Sequence, residues 1–394
     1  MTREQFLTEL EKNLSSLNKE DRENTIQFYK EYFEDAGSEN EQNVIEELGS
    51  PEKLAEEISA FHKAPYTGGK AQICKTVDGV AEEIQLELTS TNVDISESDG
   101  DFIEYKTENI SEEDIAVRME NGKLYIEERP LFSLHKRAFT EFFKNISFNK
   151  VYDETVKRRL EIYVPKKLCL EKAELNIKLG SVKIKNVNFR RIEGYIACGS
   201  LQVLNVPCRK IIFNAAAGAV MLSSLNPEDI KVQSSAGSIS LKNVKAEKIS
   251  ASTGAGSILF KDVFSEQIYA NSGAGSISSY NLKTNKGKFS TGAGKINFED
   301  TDLKNGIIST GAGSIEFCGS LEERAEFRSS LGKIELNLTD GLDNYFMKVY
   351  SRTSFTLNGQ TVEIPGDLKC IGNQDSENRI NVYTNFGKIK ITTK

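Results

Sequence analysis

The stretch Thr253–Ile258 reads TGAGSI, and the same word returns as SGAGSI at 272–277, TGAGKI at 291–296 and TGAGSI at 310–315. Its second glycine belongs to a column that recurs every 19 residues, at Gly180, Gly199, Gly218, Gly237, Gly256, Gly275, Gly294, Gly313 and Gly332. An aliphatic residue stands two positions after each of these glycines, from Val182 to Ile334. A fixed short period with alternating apolar residues is typical of coils that bury one face by stacking on their neighbours. The sequence therefore predicts a mainly β fold, a single-chain, parallel β-helix-like β-solenoid with 19-residue coils.

Two further columns indicate how each coil turns. Asn, Asp or Ser stands six residues after the repeat glycine, from Asn186 to Asp300. Asn and Asp tolerate left-handed backbone, so this column predicts a corner. From Ser234 to Ser329 a hydroxyl residue stands three residues before the glycine, and this column predicts a ladder of hydroxyls along the axis. Each coil is expected to hold two clear strands, and a third short strand is left open.

Residues 1–63 have helical spacing instead. Phe6, Leu7, Leu10, Leu14 and Leu17 recur at three and four residues and make one apolar stripe. This segment has 7 Lys and Arg against 16 Asp and Glu, so it carries the whole charge excess of a chain whose net charge is −8. The pattern predicts a small, acidic, all-α domain of four helices.

Three motifs in this segment resemble a known family. Phe6-Leu-x-x-Leu10, the run Tyr29–Ala36 and the segment Glu47–Ala55 are similar to the HAAS signalling domain of Gram-positive bacteria. The resemblance implies a protein partner, either a transcription regulator or a membrane-associated component. The candidate contacts are the acidic residues Glu31, Glu34 and Asp35, with Tyr32 as an aromatic anchor.

The remaining chain divides by composition and period. Residues 64–72 are predicted to be a linker, 73–178 irregular first coils, 179–339 the regular solenoid, and 340–394 the C-terminal coils and cap. Residues 131–147 follow a helical period within the irregular coils. This amphipathic helix is expected to cover the edge of the first coil; the alternatives are a partner-binding helix, with Phe139 and Phe143 as contacts, and a membrane-surface helix.

Residues 73–394, with the Gly-Ser-Val word at Gly180–Val182 and its successors, resemble the "putative adhesin" β-strand-repeat family, a domain of unknown function. That resemblance implies a β-solenoid without an established activity.

Catalysis is a weaker interpretation of the coils. Glu299, Glu316 and Glu335 are predicted to face outward on neighbouring coils, where a carboxylate pair could do acid/base chemistry. The two histidines, His62 and His135, lie outside the coils, which removes the usual general base. The six cysteines show no paired metal spacing. The sequence thus predicts no catalytic, metal or cofactor site, and a carbohydrate-active β-helix enzyme is the third functional alternative.

The predicted function is a non-catalytic binding or scaffold protein with a signalling or regulatory role. No apolar run approaches the ~20 residues of a membrane helix, and the N-terminus lacks the apolar core of a signal peptide, so a cytoplasmic location without a transmembrane segment is expected. The acidity of residues 1–63 disfavours nucleic acid as their partner. The second functional alternative is a cell-surface adhesin-like protein.

Overall fold

The computed structural model describes residues 1–15, 17, 19–36, 41–63, 72–110, 112, 114–128, 158–352, 354–364 and 366–394. The chain splits into two compact units, residues 1–71 with 129–157 and residues 72–128 with 158–394. The described α-helices belong to the first unit, and the described strands belong to the second.

The first unit contains α1 (Arg3–Asn13), α2 (Lys19–Ala36), α3 (Glu41–Leu48) and α4 (Pro51–Lys63). Helix α1 begins with a capping box, in which the Thr2 hydroxyl accepts from the Gln5 amide and the Gln5 side chain accepts from the Thr2 amide. Its apolar stripe is buried, and the Phe6 ring meets the Phe33 ring edge-on at 5.8 Å between centroids. The apolar spacing therefore produces a small helical core of its own.

The described residues of the second unit form one sheet of 26 strands. The strands are β1 (Gln72–Thr76), β2 (Glu83–Leu88), β3 (Asn92–Ser98), β4 (Glu104–Glu108), β5 (Ile115–Glu120), β6 (Lys123–Glu128), β7 (Arg159–Pro165), β8 (Cys169–Leu179), β9 (Val182–Lys185), β10 (Asn188–Cys198), β11 (Leu201–Leu204), β12 (Lys210–Ala217), β13 (Val220–Leu225), β14 (Asp229–Ser234), β15 (Ile239–Thr253), β16 (Ile258–Ser272), β17 (Ile277–Thr291), β18 (Ile296–Thr310), β19 (Ile315–Ser329), β20 (Ile334–Leu338), β21 (Phe346–Tyr350), β22 (Phe355–Leu357), β23 (Gln360–Val362), β24 (Leu368–Gly372), β25 (Arg379–Thr384) and β26 (Ile389–Thr392).

Successive regular coils pair in parallel with residues 19 positions apart, except that the spacing is 18 from Thr301 to Leu303. In β15 and β16 the paired segments begin at Ile239↔Ile258, Val244↔Val263 and Lys248↔Gln267. Each of the coils with a 15-residue strand therefore contributes three ladder segments, and the segment that begins at Val244 in β15 is the short additional strand that the sequence left open. The predicted β-solenoid is confirmed.

The corner column adopts the expected backbone. Asn186, Asn205, Asn243 and Asn281 have φ between +52° and +59°. Their side chains also link the coils, since the Asn205 amide nitrogen donates to the Asn186 amide oxygen at 2.9 Å. A polar residue that accepts left-handed backbone and bonds its stacked neighbour suits each corner.

The hydroxyl column is buried, but its hydroxyls do not bond one another as expected. The Thr253 hydroxyl donates to the Gly237 carbonyl at 2.8 Å and accepts from the Gly256 amide at 3.0 Å. It therefore joins the glycine of its own coil to that of the preceding coil. A Cβ on Gly256 would lie only 2.0 Å from the same Gly237 oxygen, which explains why glycine fills this column.

The interior is filled by the alternate apolar residues of the coils. In the later coils aromatic rings form a line of edge-on contacts, Phe260–Phe289–Phe298–Phe317–Phe327, with centroids 4.7 to 6.3 Å apart. Such pairs add to the stabilisation that burial of each ring provides.

Antiparallel strands flank the outer strands of the first coils. Strand β5 pairs with β6, and β4 pairs with β7 and with β1.

The predicted helix 131–147, and with it Phe139 and Phe143, lies outside the described residues. The chain on either side of that segment is fixed by an ion pair between Arg158 Nη1 and the buried carboxylate of Glu128 at 2.7 Å. Glu128 also accepts from the Thr89 and Ser90 amides.

The C-terminal strands resume the ladder after an excursion. Strand β25 pairs in parallel with β19, and β26 pairs in parallel with β20. Strands β21 and β22 add to the far sides of β25 and β26, and β24 and β23 close the edge in antiparallel pairing. The Gly387 amide donates to the Thr384 hydroxyl at 2.8 Å, so the end of the chain repeats the contact seen within the regular coils.

Candidate binding groove

The N-terminal contacts predicted from the sequence lie on one helix. Glu31, Tyr32, Glu34 and Asp35 all belong to α2. Of these four side chains the structure describes Tyr32, which is half-buried against the helical core, with its ring stacked on Phe28 at 6.2 Å. Tyr32 therefore offers a partner only part of its ring. The role of these residues remains a prediction.

Two of the three carboxylates of the predicted acidic strip have cationic partners, and the third, Glu299, accepts a hydrogen bond from the Asn297 amide. Glu316 and Glu335 are neighbours in register, and Glu299 lies in the next outward column beside Tyr280. Lys295 Nζ lies 2.7 Å from Glu316, and Lys390 Nζ lies 2.8 Å from Glu335, which also contacts Lys333. Hydrogen bonds from Lys333 and Lys390 hold the pKa of Glu335 below its ordinary value. A carboxyl group held ionised is poorly suited to donate a proton, so Glu335 does not have the character of a general acid.

A different surface brings charged and apolar residues together. We use the term outer face for the sheet surface formed by the positions 11 and 13 residues after each repeat glycine. The position-11 column runs in register through Lys172, Arg191, Lys210, Asp229, Lys248, Gln267, Lys286, Asn305, Arg324 and Arg379. The position-13 column beside it includes Tyr269, Lys288, Ile307 and Glu326. Because the coils are in register, each column is a straight row along the solenoid axis.

The later coils of the outer face enclose a groove of about 1040 Å³, which we call the binding groove. Its cations are Lys248, Lys286, Lys288, Arg324, Lys348 and Arg379. Within the part of the chain that the structure describes, none of these six has a carboxylate partner. The two acidic residues of the groove form ion pairs with cations at its margin. Asp229 pairs with Lys210 at 2.8 Å, and Glu326 pairs with Arg328. The binding groove therefore presents an excess of positive charge to solvent.

Apolar side chains lie between these cations. Tyr269 is 42% exposed and Ile307 is 44% exposed, although both belong to a well-packed ladder. Lys288 stands between them in the same column and lies over the Tyr269 ring at 5.9 Å from its centroid. At the far end Arg379 lies over the Phe346 ring at 4.8 Å. Aliphatic and aromatic faces beside unpaired cations suit a ligand that has both anionic groups and apolar surface.

The described residues contain no group of three or more His, Cys, Asp or Glu side chains placed to hold a metal ion. Among the described helices, none is both long enough and apolar enough to cross a membrane.

Sequence reasoning did not find the binding groove. The signal available was the basic composition of the position-11 column, in which Asp229 is the only acidic residue from Arg191 to Arg324. The last two cations were harder to find, because Lys348 and Arg379 lie where the period is interrupted and reach the groove through the pairing of β21 and β25.

The fold defines a β-solenoid protein with a small N-terminal helical domain, and comparison with protein families assigns both parts. Residues 81–263 and 246–393 match Toastrack DUF4097, and the chain belongs to that family. Residues 5–57 match HAAS, which confirms the N-terminal resemblance.

Several solved structures align with much of this chain at low sequence identity. A "putative adhesin" from Bacteroides fragilis is 19% identical, with 59% of this chain and 98% of that chain covered and a TM-score of 0.38. A "putative adhesin" from Parabacteroides distasonis is 12% identical, with coverage of 83% and 98% and a TM-score of 0.36. A "putative cell adhesion protein" from Clostridium sporogenes is 14% identical, with coverage of 82% and 100% and a TM-score of 0.21. The search of curated proteins returned no match.

Proposed function

We propose that this chain is a non-catalytic binding protein with a regulatory role in the cytoplasm, in which the solenoid and the acidic helical domain each contact a partner. HAAS and Toastrack domains suggest a regulatory or binding protein and are not typical of enzymes. The observation that carries the proposal is the binding groove, with six cations that have no carboxylate partner among the described residues. Clustered like charges repel one another, so such a surface is better explained by a partner than by stability.

The acidic domain complements this proposal. Residues 1–63 carry 16 acidic against 7 basic residues, which suits electrostatic steering of a basic protein partner. Glu31, Tyr32, Glu34 and Asp35 of α2 are the proposed contacts, and the partner is a transcription regulator or a membrane-associated component.

Site-specific photo-crosslinking in the full chain tests both surfaces. A photoreactive residue is placed at Tyr269 in the binding groove, at Glu34 on α2, or at Tyr280. Tyr280 is the matched control, because its ring is also exposed but lies in another outward column. We expect cell lysate to give defined adducts at Tyr269 and Glu34 and none at Tyr280. Adducts of equal yield at all three positions, or at none, would contradict the proposal.

A cell-surface adhesin is the second candidate, favoured by the length and exposure of the binding groove. Fractionation of the native host separates the two candidates. Protein found in the washed cell-wall fraction supports the adhesin, and protein confined to the cytosol supports the regulatory protein.

A further inference from the structure

The binding groove has an axial repeat. Lys248, the pair Lys286 and Lys288, and Arg324 lie on alternate coils. Because adjacent strands are about 4.8 Å apart, these charges recur about every 10 Å along the axis.

The coils between the cations present uncharged groups. Gln267 and Tyr269 lie on one intervening coil, and Asn305 and Ile307 lie on the next. Each of these coils thus combines an amide with an exposed apolar side chain. From β15 to β19, coils that carry a cation therefore alternate with coils that carry an amide and an apolar side chain.

The groove continues beyond Arg324, but there each added strand carries a cation. Strand β25 adds Arg379 and Asn381, and β21 adds Phe346 and Lys348. From β15 to β21 the groove crosses seven strands, which corresponds to a length of roughly 30 Å. A surface of this length fits an extended oligomer better than a single small molecule.

We propose that the binding groove binds an acidic polysaccharide in which charged and uncharged sugars alternate, an inference that rests on the proposed function of the groove. A pyranose unit in an extended polysaccharide advances by about the distance that one coil rises along the solenoid axis. Successive sugars therefore meet successive coils. Carboxylates on every second sugar lie against Lys248, Lys286 and Arg324, and the uncharged sugars pack their C–H faces on Tyr269 and Ile307.

Nucleic acid fits this arrangement less well. Duplex DNA carries one charge per about 1.7 Å of its axis, far denser than cationic steps about 10 Å apart. Single strands are bound on successive aromatic side chains, one for each stacked base. Lys288 and Ile307 occupy the next two positions of the column after Tyr269, where further aromatic side chains would be needed.

The test measures binding of the full chain to labelled hyaluronan oligosaccharides, in which glucuronate and N-acetylglucosamine alternate. The probes for comparison are chitin oligosaccharides without charge, oligogalacturonate with a charge on every sugar, and single-stranded DNA, all of similar length. We expect hyaluronan to bind most tightly and its dissociation constant to rise with salt, because exposed charges are screened beyond about 10 Å at 0.1 M.

Two groove variants separate charge from apolar contact. Lys286→Gln/Lys288→Gln is expected to weaken hyaluronan binding about tenfold, since it removes two exposed charge contacts. Tyr269→Ala is expected to weaken binding about fivefold without changing its salt dependence. The control Lys183→Gln/Lys261→Gln removes two exposed lysines from other outward positions and should leave binding unchanged. Circular dichroism and thermal melting establish that each variant is folded.

Several outcomes would overturn this inference. Tighter binding of single-stranded DNA or oligogalacturonate would assign the groove to a denser polyanion, and equal binding of chitin would remove the role of charge. An equal loss in the control variant would place the ligand elsewhere. If none of the four probes binds while Tyr269 still crosslinks in lysate, the polysaccharide is wrong and the proposed function stands. Failure of both experiments rejects both.

Discussion

The outer face carries its charges in two different ways along one continuous ladder. In the first coils, which we call the paired half, Lys172 contacts Glu174 and Glu193, and Arg191 contacts Glu193. In the later coils, Lys286 and Lys288 occupy the same two columns without a carboxylate partner among the described residues. The two regions share the same parallel 19-residue register, so the ladder itself does not require this difference. Ion pairing in the paired half stabilises the coil, whereas the binding groove leaves its charge available to a ligand.

The largest expected loss of stability should be the same in both regions, because both have a buried apolar interior. Ile192 lies beneath the paired half and Ile268 beneath the binding groove, and both are buried. Ile192→Ala and Ile268→Ala should each lower the free energy of unfolding by about 2–5 kcal/mol, as large-to-small core changes do. Denaturant unfolding measures both. A loss at only one position would show that the two regions differ in packing as well as in surface charge.

A smaller effect should separate the two regions. Lys172 contacts two carboxylates and its side chain is 25% exposed, so Lys172→Gln should cost about 1 kcal/mol. Lys286→Gln should change the free energy of unfolding by less than about 0.5 kcal/mol, because no pair is broken. Thermal melts of the two variants provide the comparison. Equal destabilisation would mean that Lys286 has a structural role that its contacts do not reveal.

The smallest expected effect is on the way the free energy of unfolding changes at acidic pH. Burial opposes ionisation of Glu193, but its contacts with Lys172 and Arg191 outweigh burial and place its pKa below the ordinary 4.5. A carboxyl group whose pKa is lower in the folded state stabilises the protein above pH 4.5, and this contribution disappears as the pH falls through the folded pKa.

Glu193→Gln should therefore destabilise the protein at neutral pH, and the difference from wild type should shrink as the solution is acidified below pH 4.5. Urea unfolding at a series of pH values measures this. Lys286→Gln is the matched control and should follow the acid dependence of the wild type. A pH-independent difference for Glu193→Gln would indicate that its ion pairs contribute nothing.

The regular coils could be predicted because their determinants are local and repeated. Gly256 permits close approach of the preceding coil, the Thr253 hydroxyl bonds that coil, and Asp262 adopts the left-handed backbone of the corner. Equivalent residues recur once per regular coil. A 19-residue period exposes all three in the sequence. The helical core was equally accessible, since the spacing of Phe6 and Leu10 defines one face of α1.

The ends of the solenoid and the binding groove could not be predicted in the same way. The edges are flanked by antiparallel strands such as β4 and β24, whose pairing has no period to indicate it. Glu335 of the expected acidic strip has a lysine partner that the period does not indicate, because Lys390 reaches it from a strand 55 residues later.

The sequence by itself determined the repeat, the corners, the buried columns and the separate helical domain, because each depends on residues close in the chain or at one fixed spacing. Only the tertiary structure decided which charges are paired and which remain exposed. Lys172 meets Glu193 across the regular ladder, whereas Lys348 joins Arg379 in the groove through a pairing outside the 19-residue period. Pairing of charges depends on distances of a few ångströms between side chains, and those distances are set only when the coils stack.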